Sequence, residues 1–567
     1  MTGADALLDA LVAQGVEYIF GNPGSTELPL IDALAASGRP RFVLGLTEAA
    51  ATGMADGYAQ ASGRLGVVLV HVQPGMANAL AGVLNAARAR VPMLVIVGQQ
   101  VSAMLAGAPF LGGDVVGMAR PLARFAAEVT DPADLGALLH QAVRAALGPP
   151  AGPAVLSVPL DVQAGAAATL APLPLAPRGM APPDPVALDD AAGLLASARN
   201  PILLAGDGVA ESGAGEVLAT LAVRLGAPIL GEPFGARLPM HTGDPAWRGP
   251  MPRFASAIRQ TLDRHDVVVA LGMPVFRLFG WSPGSCMPDG AVLIHADVDP
   301  DEIGRMHVPA VGMVADPAAV IAGLRERLGP PDHAARTRRG QVVAATLAQV
   351  RSERSALGRR VQGTPDAITG AALCAAIAAA VTPDDLVVDE GLTATRDLRV
   401  ALGPRAPGTW LGHRGSALGW GLPAAVGARI ANPSRRVLCI QGDGSLMFGA
   451  HALWTSAAHD APVALVVADN RGYEILRAGL EGLTGQAQGS WPGVSMASPP
   501  IDIAALGRAF GASAQRVDAP CDLPDALDDL LRRSEDGPAI LVAGVVGITP
   551  PVGGPLDGAP GVSSPRT

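Results

Sequence analysis

The sequence contains no lysine, so all 41 of its cationic side chains are arginines. This absence excludes a lysine nucleophile, a lysine Schiff base and the phosphate-binding lysine of a Walker-type loop. We expect a phosphate group bound by this chain to be held by a metal ion, by backbone amides and by the N-terminus of a helix.

Cysteines and aromatic residues are also scarce. The cysteines are far apart and form no CxxC pair, which excludes a disulfide framework and a zinc site of that type. Aromatic residues make up only 3% of a chain that is 49% hydrophobic, so its cores must consist of alanine, valine and leucine. The four cysteines are Cys286, Cys374, Cys439 and Cys521.

Basic patches and long apolar runs are missing as well. A net charge of −10 argues against nucleic acid or an anionic membrane as a partner. The stretch Met1–Gln14 carries Asp5 and Asp9 and no basic region, so it is predicted to be a helix and not a signal peptide. No apolar run is long enough for a membrane helix, and the cytoplasm is the expected compartment.

Three stretches of the chain alternate short apolar runs with helix-like segments. This alternation is typical of parallel sheets covered by helices, and 567 residues are too many for one core. We therefore predict an α/β fold with three doubly wound parallel-sheet domains, at residues 1–170, 186–330 and 365–547. A proline-rich linker is expected at 171–185 and a disordered tail at 548–567. The predicted strands are Glu17–Phe20, Phe42–Leu46, Gly66–Val70, Leu94–Val97, Val155–Val158, Ile202–Ala205, Val267–Leu271, Val292–Ala296, Leu386–Asp389, Val437–Ile440, Val463–Val467 and Ile540–Val545.

Two predicted strands of the third stretch end close to oxygen-bearing side chains. With a crossover helix at 449–459 between them, Asp443 and Asn470 reach the same carboxyl edge of one sheet, where α/β proteins bind ligands. A carboxylate and an amide oxygen beside glycines suit Mg²⁺ and a diphosphate group. A simple Gly-Asp-Gly turn after a strand is the alternative. The residues of this motif are Gly442, Asp443, Gly444, Ser445 and Asn470.

Polar side chains also follow strands in the first stretch. Thr26 is expected to cap the next helix, whereas Ser25 and the amides of the helix start form a candidate carboxylate site. Glu48 lies among small apolar residues, so it is expected to be poorly solvated, as a proton relay requires. His71 ends an apolar run beside a glycine-containing helix start and is well placed for proton transfer. The alternatives are a first-turn glutamate that the helix dipole stabilises and a hydrogen-bonded structural histidine.

Motifs along most of the chain resemble the thiamine diphosphate enzymes. Their order and spacing are similar to those of benzoylformate decarboxylase, in a family that includes acetolactate synthase and pyruvate decarboxylase. The resemblance implies thiamine diphosphate and Mg²⁺ as cofactors. The motifs are Asn22-Pro23-Gly24-Ser25, Glu48 with Ala55–Ser62, Gly98-Gln99-Gln100, Pro274–Arg277, Gly419–Ala425 and the Asp443/Asn470 pair.

The resemblance implies roles for the residues of the cofactor site. Glu48 matches the glutamate that hydrogen-bonds the pyrimidine N1′ and thereby activates the thiazolium carbon. Leu418 matches the bulky residue that keeps the cofactor bent, and the Ser416 carbonyl matches the acceptor of the 4′-amino group. The implied Mg²⁺ ligands are Asp443, Asn470 and the Gly472 carbonyl. The other implied cofactor contacts are Asn78, Gly442, Gly444, Ser445, Tyr473 and Ile475.

The resemblance also implies a substrate site for a 2-oxo acid. Ser25 and His71 match residues that hold the substrate carboxylate and relay protons. Phe279 stands where benzoylformate decarboxylase has a second active-site histidine, and His413 is a candidate replacement. The flavin-binding segment of acetolactate synthase is missing from the sequence, so no FAD is expected. The implied substrate pocket consists of Ser25, His71, Phe279, Ile475 and Leu476.

These features predict a thiamine diphosphate- and Mg²⁺-dependent carboxy-lyase that releases CO₂ and an aldehyde from a 2-oxo acid. A carboligase that forms acyloins or acetohydroxy acids is the alternative, because weak proton return beside Phe279 would favour attack on a second carbonyl. A catalytically silent homologue is a third hypothesis, which the presence of Glu48 and the metal ligands disfavours. Family members place the cofactor between two chains, which implies a homodimer or homotetramer with shared active sites.

Overall fold

The computed structural model describes residues 1–167, 180–280, 283–415, 417–486 and 490–546. Most of the predicted linker at 171–185 lies outside these residues, as does the whole predicted tail at 548–567. Ser416, one of the predicted cofactor contacts, also lies outside them.

The N-terminal sheet has six parallel strands with helices on both faces. The strands are β1 (Tyr18–Asn22), β2 (Arg41–Leu44), β3 (Gly66–Val70), β4 (Met93–Gln99), β5 (Phe125–Glu128) and β6 (Pro153–Pro159). Their order in the sheet is β2-β1-β3-β4-β6-β5. The helices are α1 (Gly3–Ala13), α2 (Leu28–Ser37), α3 (Glu48–Ser62), α4 (Val72–Arg88), α5 (Ser102–Leu105), α6 (Val115–Ala119), α7 (Leu135–Leu147) and α8 (Leu160–Ala164).

The central sheet is also built from six parallel strands. The strands are β7 (Pro201–Ala205), β8 (Ile229–Gly231), β9 (Trp247–Pro250), β10 (Val267–Leu271), β11 (Val292–Asp297) and β12 (Val311–Val314). Their order is β12-β11-β10-β7-β8-β9, so the direction of winding reverses between β7 and β10. The helices are α9 (Pro185–Ser197), α10 (Asp207–Glu211), α11 (Gly215–Leu225), α12 (Ala255–Leu262) and α13 (Pro317–Arg327), and the long helix α14 (His333–Gln362) leads to the next sheet.

The C-terminal sheet repeats this architecture. The strands are β13 (Leu386–Glu390), β14 (Trp410–Gly412), β15 (Val437–Gly442), β16 (Ala464–Asp469), β17 (Ser513–Val517) and β18 (Ala539–Gly544). Their order is β14-β13-β15-β16-β18-β17. The helices are α15 (Gly370–Ala380), α16 (Leu398–Leu402), α17 (Gly421–Ala431), α18 (Asp443–Gly449), α19 (Ala452–Ala458), α20 (Glu474–Thr484), α21 (Ile503–Ala509) and α22 (Leu523–Arg533). None of the helices in the described ranges is long and apolar enough to span a membrane.

The predicted α/β fold of three doubly wound parallel sheets is confirmed, and every predicted strand is present. Six strands were not predicted from the sequence: β5, β8, β9, β12, β14 and β17. Five of these lie at a sheet edge, and the sixth, β8, has only three residues. The predicted crossover helix at 449–459 is wrong in its extent. Two helices, α18 and α19, occupy this region, and α18 begins at Asp443 itself.

Neighbouring residues of β3 point into two different cores. Val67 and Leu69 pack into a core that is confined to the N-terminal unit. Val68 and Val70 pack into a second core, which also contains Val388 of β13 and other side chains of the C-terminal sheet. This shared core joins the first and the last sheet of the chain, as alternation along a strand that is buried on both faces allows.

Helices α3 and α17 pack with very little side-chain volume between their backbones. A Cβ atom at Gly57 would lie 2.0 Å from the carbonyl oxygen of Ala424, and one at Gly427 would lie 1.9 Å from a backbone oxygen of α3. Next to this contact, the indole N–H of Trp420 donates a hydrogen bond of 3.0 Å to buried Asp56. The position of α3 relative to α17 is therefore fixed by direct backbone contact.

We predict that Gly57→Ala destabilises the protein by about 1–3 kcal/mol, because the new methyl group must push the two helices apart. Alanine has a higher helix propensity than glycine, so helix propensity alone would make the Gly57→Ala protein more stable. Thermal unfolding of the cofactor-free protein measures the change. The control is Gly340→Ala in α14, where a Cβ atom meets nothing within 4 Å. Equal melting temperatures for the two variants would contradict the proposed packing constraint.

Candidate active site

Glu48 is the first residue of α3, at the carboxyl end of the N-terminal sheet. Thr47 caps this helix, since its Oγ1 accepts a hydrogen bond of 3.2 Å from the N–H of Ala50. Asn78 of α4 donates from Nδ2 to Glu48 Oε2 over 3.1 Å. Glu48 is half-buried, so the predicted poor solvation is only partly realised within one chain. Its carboxylate is oriented but remains accessible to a ligand.

His71 lies between β3 and α4 and is held by a buried carboxylate. Its Nδ1 lies 2.9 Å from Glu27 Oε2 and 3.0 Å from Thr26 Oγ1. The Thr26 hydroxyl itself donates to Glu27 Oε1 over 2.5 Å, so we assign the Nδ1 proton of His71 to a hydrogen bond with Glu27. The other ring nitrogen, Nε2, is then the basic atom that can exchange a proton with a substrate.

Glu27 is a candidate functional residue that was not identified from the sequence. It is fully buried, and its Oε2 also accepts a hydrogen bond of 2.6 Å from the N–H of Gly24. An acid three residues after a turn glycine is typical of a capping arrangement, which is the signal that could have identified it. The predicted capping role of Thr26 is wrong, because its hydroxyl is held by Glu27 and His71. Ser25 lies exposed at the start of the same turn.

Asp443 and Asn470 follow neighbouring strands, because Gly442 of β15 pairs with Ala468 of β16. The N–H of Gly472 lies 3.1 Å from Asp443 Oδ2 and 3.1 Å from Asn470 Oδ1. Two side-chain oxygens therefore converge on one short loop, as the sequence predicts.

The donor set of this loop fits a hard divalent cation. Burial raises the pKa of Asp443 to about 6, and a buried carboxylate of this kind is stabilised by a bound cation. Carboxylate, amide and carbonyl oxygens are the ligands that Mg²⁺ prefers in proteins. Within the described ranges, no group of three or more histidine, cysteine or acidic side chains is placed to hold a metal ion, here or elsewhere, so a cation in this loop would depend on amide and carbonyl oxygens as well as on Asp443.

The remaining residues of the predicted diphosphate site surround this loop. Gly444 packs against Tyr473, since a Cβ atom at Gly444 would lie 2.8 Å from the phenol ring. Ser445 is buried, and its hydroxyl lies 3.5 Å from the carbonyl oxygen of Glu390. Ile475 is half-buried in the first turn of α20, whereas the adjacent Leu476 is 50% exposed. The structure thus brings Gly442, Gly444, Ser445, Asn470, Gly472, Tyr473 and Ile475 to one edge of the C-terminal sheet.

The two halves of the predicted site lie on different units of the chain. Glu48, Asn78, Ser25 and His71 belong to the N-terminal unit, and the metal loop belongs to the C-terminal unit. No hydrogen bond between the described residues connects these groups. Phe279, on the central unit, is 46% exposed and makes an edge-to-face contact with Phe254 at a centroid distance of 6.0 Å. The implied substrate pocket is therefore not closed by a single chain.

The loop before α17, described at residues 413–415 and 417–420, carries Leu418 and is held by buried polar groups. Glu390 accepts hydrogen bonds from the N–H groups of Gly419 and Gly421, at 2.9 and 2.7 Å. Burial raises the pKa of this carboxyl group to about 7. Asn85 of α4 donates to the Ala417 carbonyl over 2.9 Å and accepts from the Ala417 N–H over 3.1 Å. Leu418 itself is half-buried.

The candidate role of His413 in proton return is not supported by its geometry. Its Nε2 lies 2.9 Å from the Ala417 carbonyl oxygen, and its side chain is only 8% exposed. Burial lowers the pKa of His413, which favours the neutral ring. A neutral imidazole whose Nε2 is already hydrogen-bonded within the loop stabilises the loop and is poorly suited to donate a proton.

Comparison with known proteins agrees with this geometry. The N-terminal, central and C-terminal domain models of the thiamine pyrophosphate enzymes match residues 1–113, 188–324 and 394–543. A benzoylformate decarboxylase of Pseudomonas aeruginosa is 31% identical, over 94% of this chain and 97% of its own length. An acetolactate synthase large subunit of Parasynechococcus marenigrum is 29% identical, over 91% of this chain and 83% of its own length. A solved 4-hydroxybenzoylformate decarboxylase from Rhodococcus jostii has a TM-score of 0.84 and 29% identity, over 96% of this chain and 99% of that chain.

The fold and the site define a thiamine diphosphate-dependent enzyme of the lyase or carboligase type. The chain belongs to the thiamine pyrophosphate enzyme family, as the sequence analysis predicts.

We predict that Glu27→Gln lowers turnover at least about tenfold but leaves cofactor affinity unchanged, because the amide cannot stabilise a protonated His71. Steady-state kinetics on an accepted 2-oxo acid and a cofactor titration measure the two effects. The control is Glu128→Gln, which alters an acid that is hydrogen-bonded to Gln99 and Ser157 on the same sheet. Wild-type turnover in the Glu27→Gln protein would show that this acid does not act through His71.

Proposed function

We propose that this chain is a thiamine diphosphate- and Mg²⁺-dependent carboxy-lyase that converts a 2-oxo acid into an aldehyde and CO₂. The observation that carries the proposal is the pairing of Asp443 and Asn470 at one sheet edge, with an Asn78-oriented Glu48 at the edge of another. Thiamine diphosphate needs a site that holds its metal-bound diphosphate group and an acid that hydrogen-bonds its pyrimidine nitrogen. The decarboxylases among the similar proteins support the same assignment.

The residues present fit the cofactor. When bound, thiamine diphosphate supplies a nucleophilic carbon and an electron sink. Asp443, Asn470 and the Gly472 carbonyl would hold Mg²⁺, and Glu48 would hold the pyrimidine N1′. The other proposed contacts are Asn78, Ser416, Leu418, Gly442, Gly444, Ser445, Tyr473 and Ile475.

The chain's own contribution to proton transfer comes from the turn that contains Ser25 and from His71. Ser25 is exposed and would bind the substrate carboxylate together with the amides of its turn. His71 would donate a proton from Nε2, while Glu27 keeps the ring oriented and stabilises its charged form. Phe279, Ile475 and Leu476 would add apolar walls that exclude water from the reacting atoms.

A carboligase is the second candidate, and Phe279 is the observation that favours it. An apolar ring at the position of a proton-donating histidine would slow proton return and leave time for a second carbonyl compound to react. One similar protein is an acetolactate synthase subunit. Pyruvate, benzoylformate and branched 2-oxo acids, supplied separately and in pairs, distinguish the two functions. Aldehyde as the main product supports the lyase, and an acyloin or acetohydroxy acid supports the carboligase.

We also propose that the active site is shared between two copies of the chain, in a homodimer or homotetramer. The location of Glu48 and the metal loop on different units and the exposed Phe279 support this assembly, because a second chain would complete the site. The cytoplasm is the proposed compartment. All four cysteines are free thiols, which is the state that reducing compartments maintain.

We predict that Glu48→Gln abolishes turnover but retains Mg²⁺-dependent cofactor binding, because the amide cannot protonate the pyrimidine nitrogen. Hydrogen–deuterium exchange at C2 of the bound thiazolium should slow at least about a hundredfold, as loss of a general acid or base implies. Wild-type exchange and turnover in this variant would rule out the assigned role of Glu48. If the unaltered protein binds the cofactor without accelerating exchange, the chain is a catalytically silent homologue.

We predict that Asp443→Ala abolishes cofactor-dependent thermal stabilisation, because one of the two side-chain metal ligands is lost. In the unaltered protein, a saturating ligand should raise stability by about 3 kcal/mol at one hundred times its dissociation constant. The matched control is Asp502→Ala, which removes the helix cap of α21 and none of the proposed metal ligands. Stabilisation of the Asp443→Ala protein by thiamine diphosphate and Mg²⁺ would contradict the metal assignment.

A further inference from the structure

Arg414 is a buried cation in the loop before α17 that carries Leu418, which we call the cofactor loop. Its side chain is bound by residues of the central unit. Its guanidinium group forms an ion pair with Asp207, the first residue of α10, and its Nη1 lies 3.0 Å from Glu232 Oε1, directly after β8. The side chains of Arg414, Asp207 and Glu232 are 5%, 2% and 4% exposed. Such a fully enclosed cluster orients its members strictly, because separating the charges in a low-dielectric environment is costly.

The acids of this cluster are themselves held in place. Asp207 accepts hydrogen bonds from the N–H groups of Ala236 and Arg237, at 3.1 and 3.0 Å. The carbonyl oxygen of Ala236 in turn accepts a hydrogen bond of 2.7 Å from the N–H of Gly412, just before the loop. Burial alone would lower the pKa of Arg414, but the carboxylates of Glu232 and Asp207 outweigh it and raise that pKa. The guanidinium charge is therefore permanent.

The cluster fills the crevice in which an open α/β sheet ordinarily binds its ligand. The winding of the central sheet reverses between β7 and β10, and Gly206 to Gly208 follow β7 at this point. A Cβ atom at Gly208 would lie 2.8 Å from Gly272 Cα, so this turn packs closely against the end of β10. The carboxylate of Asp207 would in addition repel a diphosphate. The crevice holds an arginine of the same chain in place of a nucleotide.

The same loop is fixed from two other directions. Asn85, on the N-terminal unit, binds both backbone groups of Ala417, and Glu390, on the C-terminal unit, binds the N–H groups of Gly419 and Gly421. Leu418 lies between these two anchors. Among the described residues, Arg414 is the only side chain of the loop that forms an ion pair with the central unit.

We propose that Arg414, clamped by Asp207 and Glu232, is a positioning residue through which the central unit sets the cofactor loop. The inference rests on the proposed function, because it assumes that Leu418 contacts thiamine diphosphate. The central unit then contributes to catalysis without touching the cofactor, and the crevice between β7 and β10 serves as the attachment point.

The experiment compares Arg414→Met with Arg90→Met. Arg90 is a comparably buried arginine that joins the N-terminal unit to the central unit through Asp297 at 2.8 Å, and no hydrogen bond or ion pair among the described residues links it to the loop. Both variants should lower the melting temperature of the cofactor-free protein. Only Arg414→Met should weaken thiamine diphosphate binding, by at least about tenfold, and slow C2 exchange of the bound cofactor.

Chemical rescue separates positioning from general stability. In Arg414→Ala, low millimolar guanidinium should restore cofactor affinity and C2 exchange by occupying the vacated site between the two acids, whereas sodium at equal concentration should not. Glu232→Gln serves as a milder variant if Arg414→Met does not fold, and it should weaken cofactor binding in the same direction.

Two results would overturn the inference. Equal cofactor affinity and C2 exchange in the Arg414→Met and Arg90→Met proteins would show that Arg414 contributes only to stability. Rescue by sodium as well as guanidinium would show that no specific guanidinium site exists. Failure of the unaltered protein to bind thiamine diphosphate would instead refute the proposed function. A cofactor titration of the unaltered protein therefore distinguishes the two failures.

Discussion

The backbone contact between α3 and α17 is the constraint on which the rest of the structure depends. Gly57 and Gly427 allow these helices to approach until backbone meets backbone, and a core of small side chains continues from the N-terminal sheet to the C-terminal sheet. Glu48 is the first residue of α3, and the cofactor loop ends where α17 begins at Gly421. One packing contact therefore sets the position of the proposed acid and the proposed cofactor loop together.

Composition explains how such a contact is possible. A chain with few aromatic residues and many alanines and glycines builds thin interfaces, in which positions are defined by backbone atoms and not by long side chains. Such interfaces tolerate little change in side-chain size, and they fix the relative position of the elements that they join. Buried polar anchors complete them: Asp56 binds Trp420, Asn85 binds Ala417, and Glu390 binds the turn before α17.

The sequence predicts the three-sheet frame because buried parallel strands are continuous apolar runs. Edge strands such as Phe125–Glu128 are short and half-buried, so this signal is weak and they were missed. Asp443 and Asn470 could be placed together because strand ends converge at one sheet edge. Glu27, Asn85 and Arg414 could not be identified as site residues from the sequence, since each acts through a contact with residues distant in sequence. Ser416 lies beyond the described residues, so its predicted role stays a prediction.

The central claim is that Glu48 of one chain and Asp443 of another act on the same cofactor. Mixing subunits of the inactive Glu48→Gln and Asp443→Ala proteins tests it most directly. A hybrid dimer contains one site with both changes and one site with neither, so an equimolar random mixture should recover roughly a quarter of wild-type activity. Isolated hybrids, purified through two different affinity tags, that remain inactive would contradict the claim.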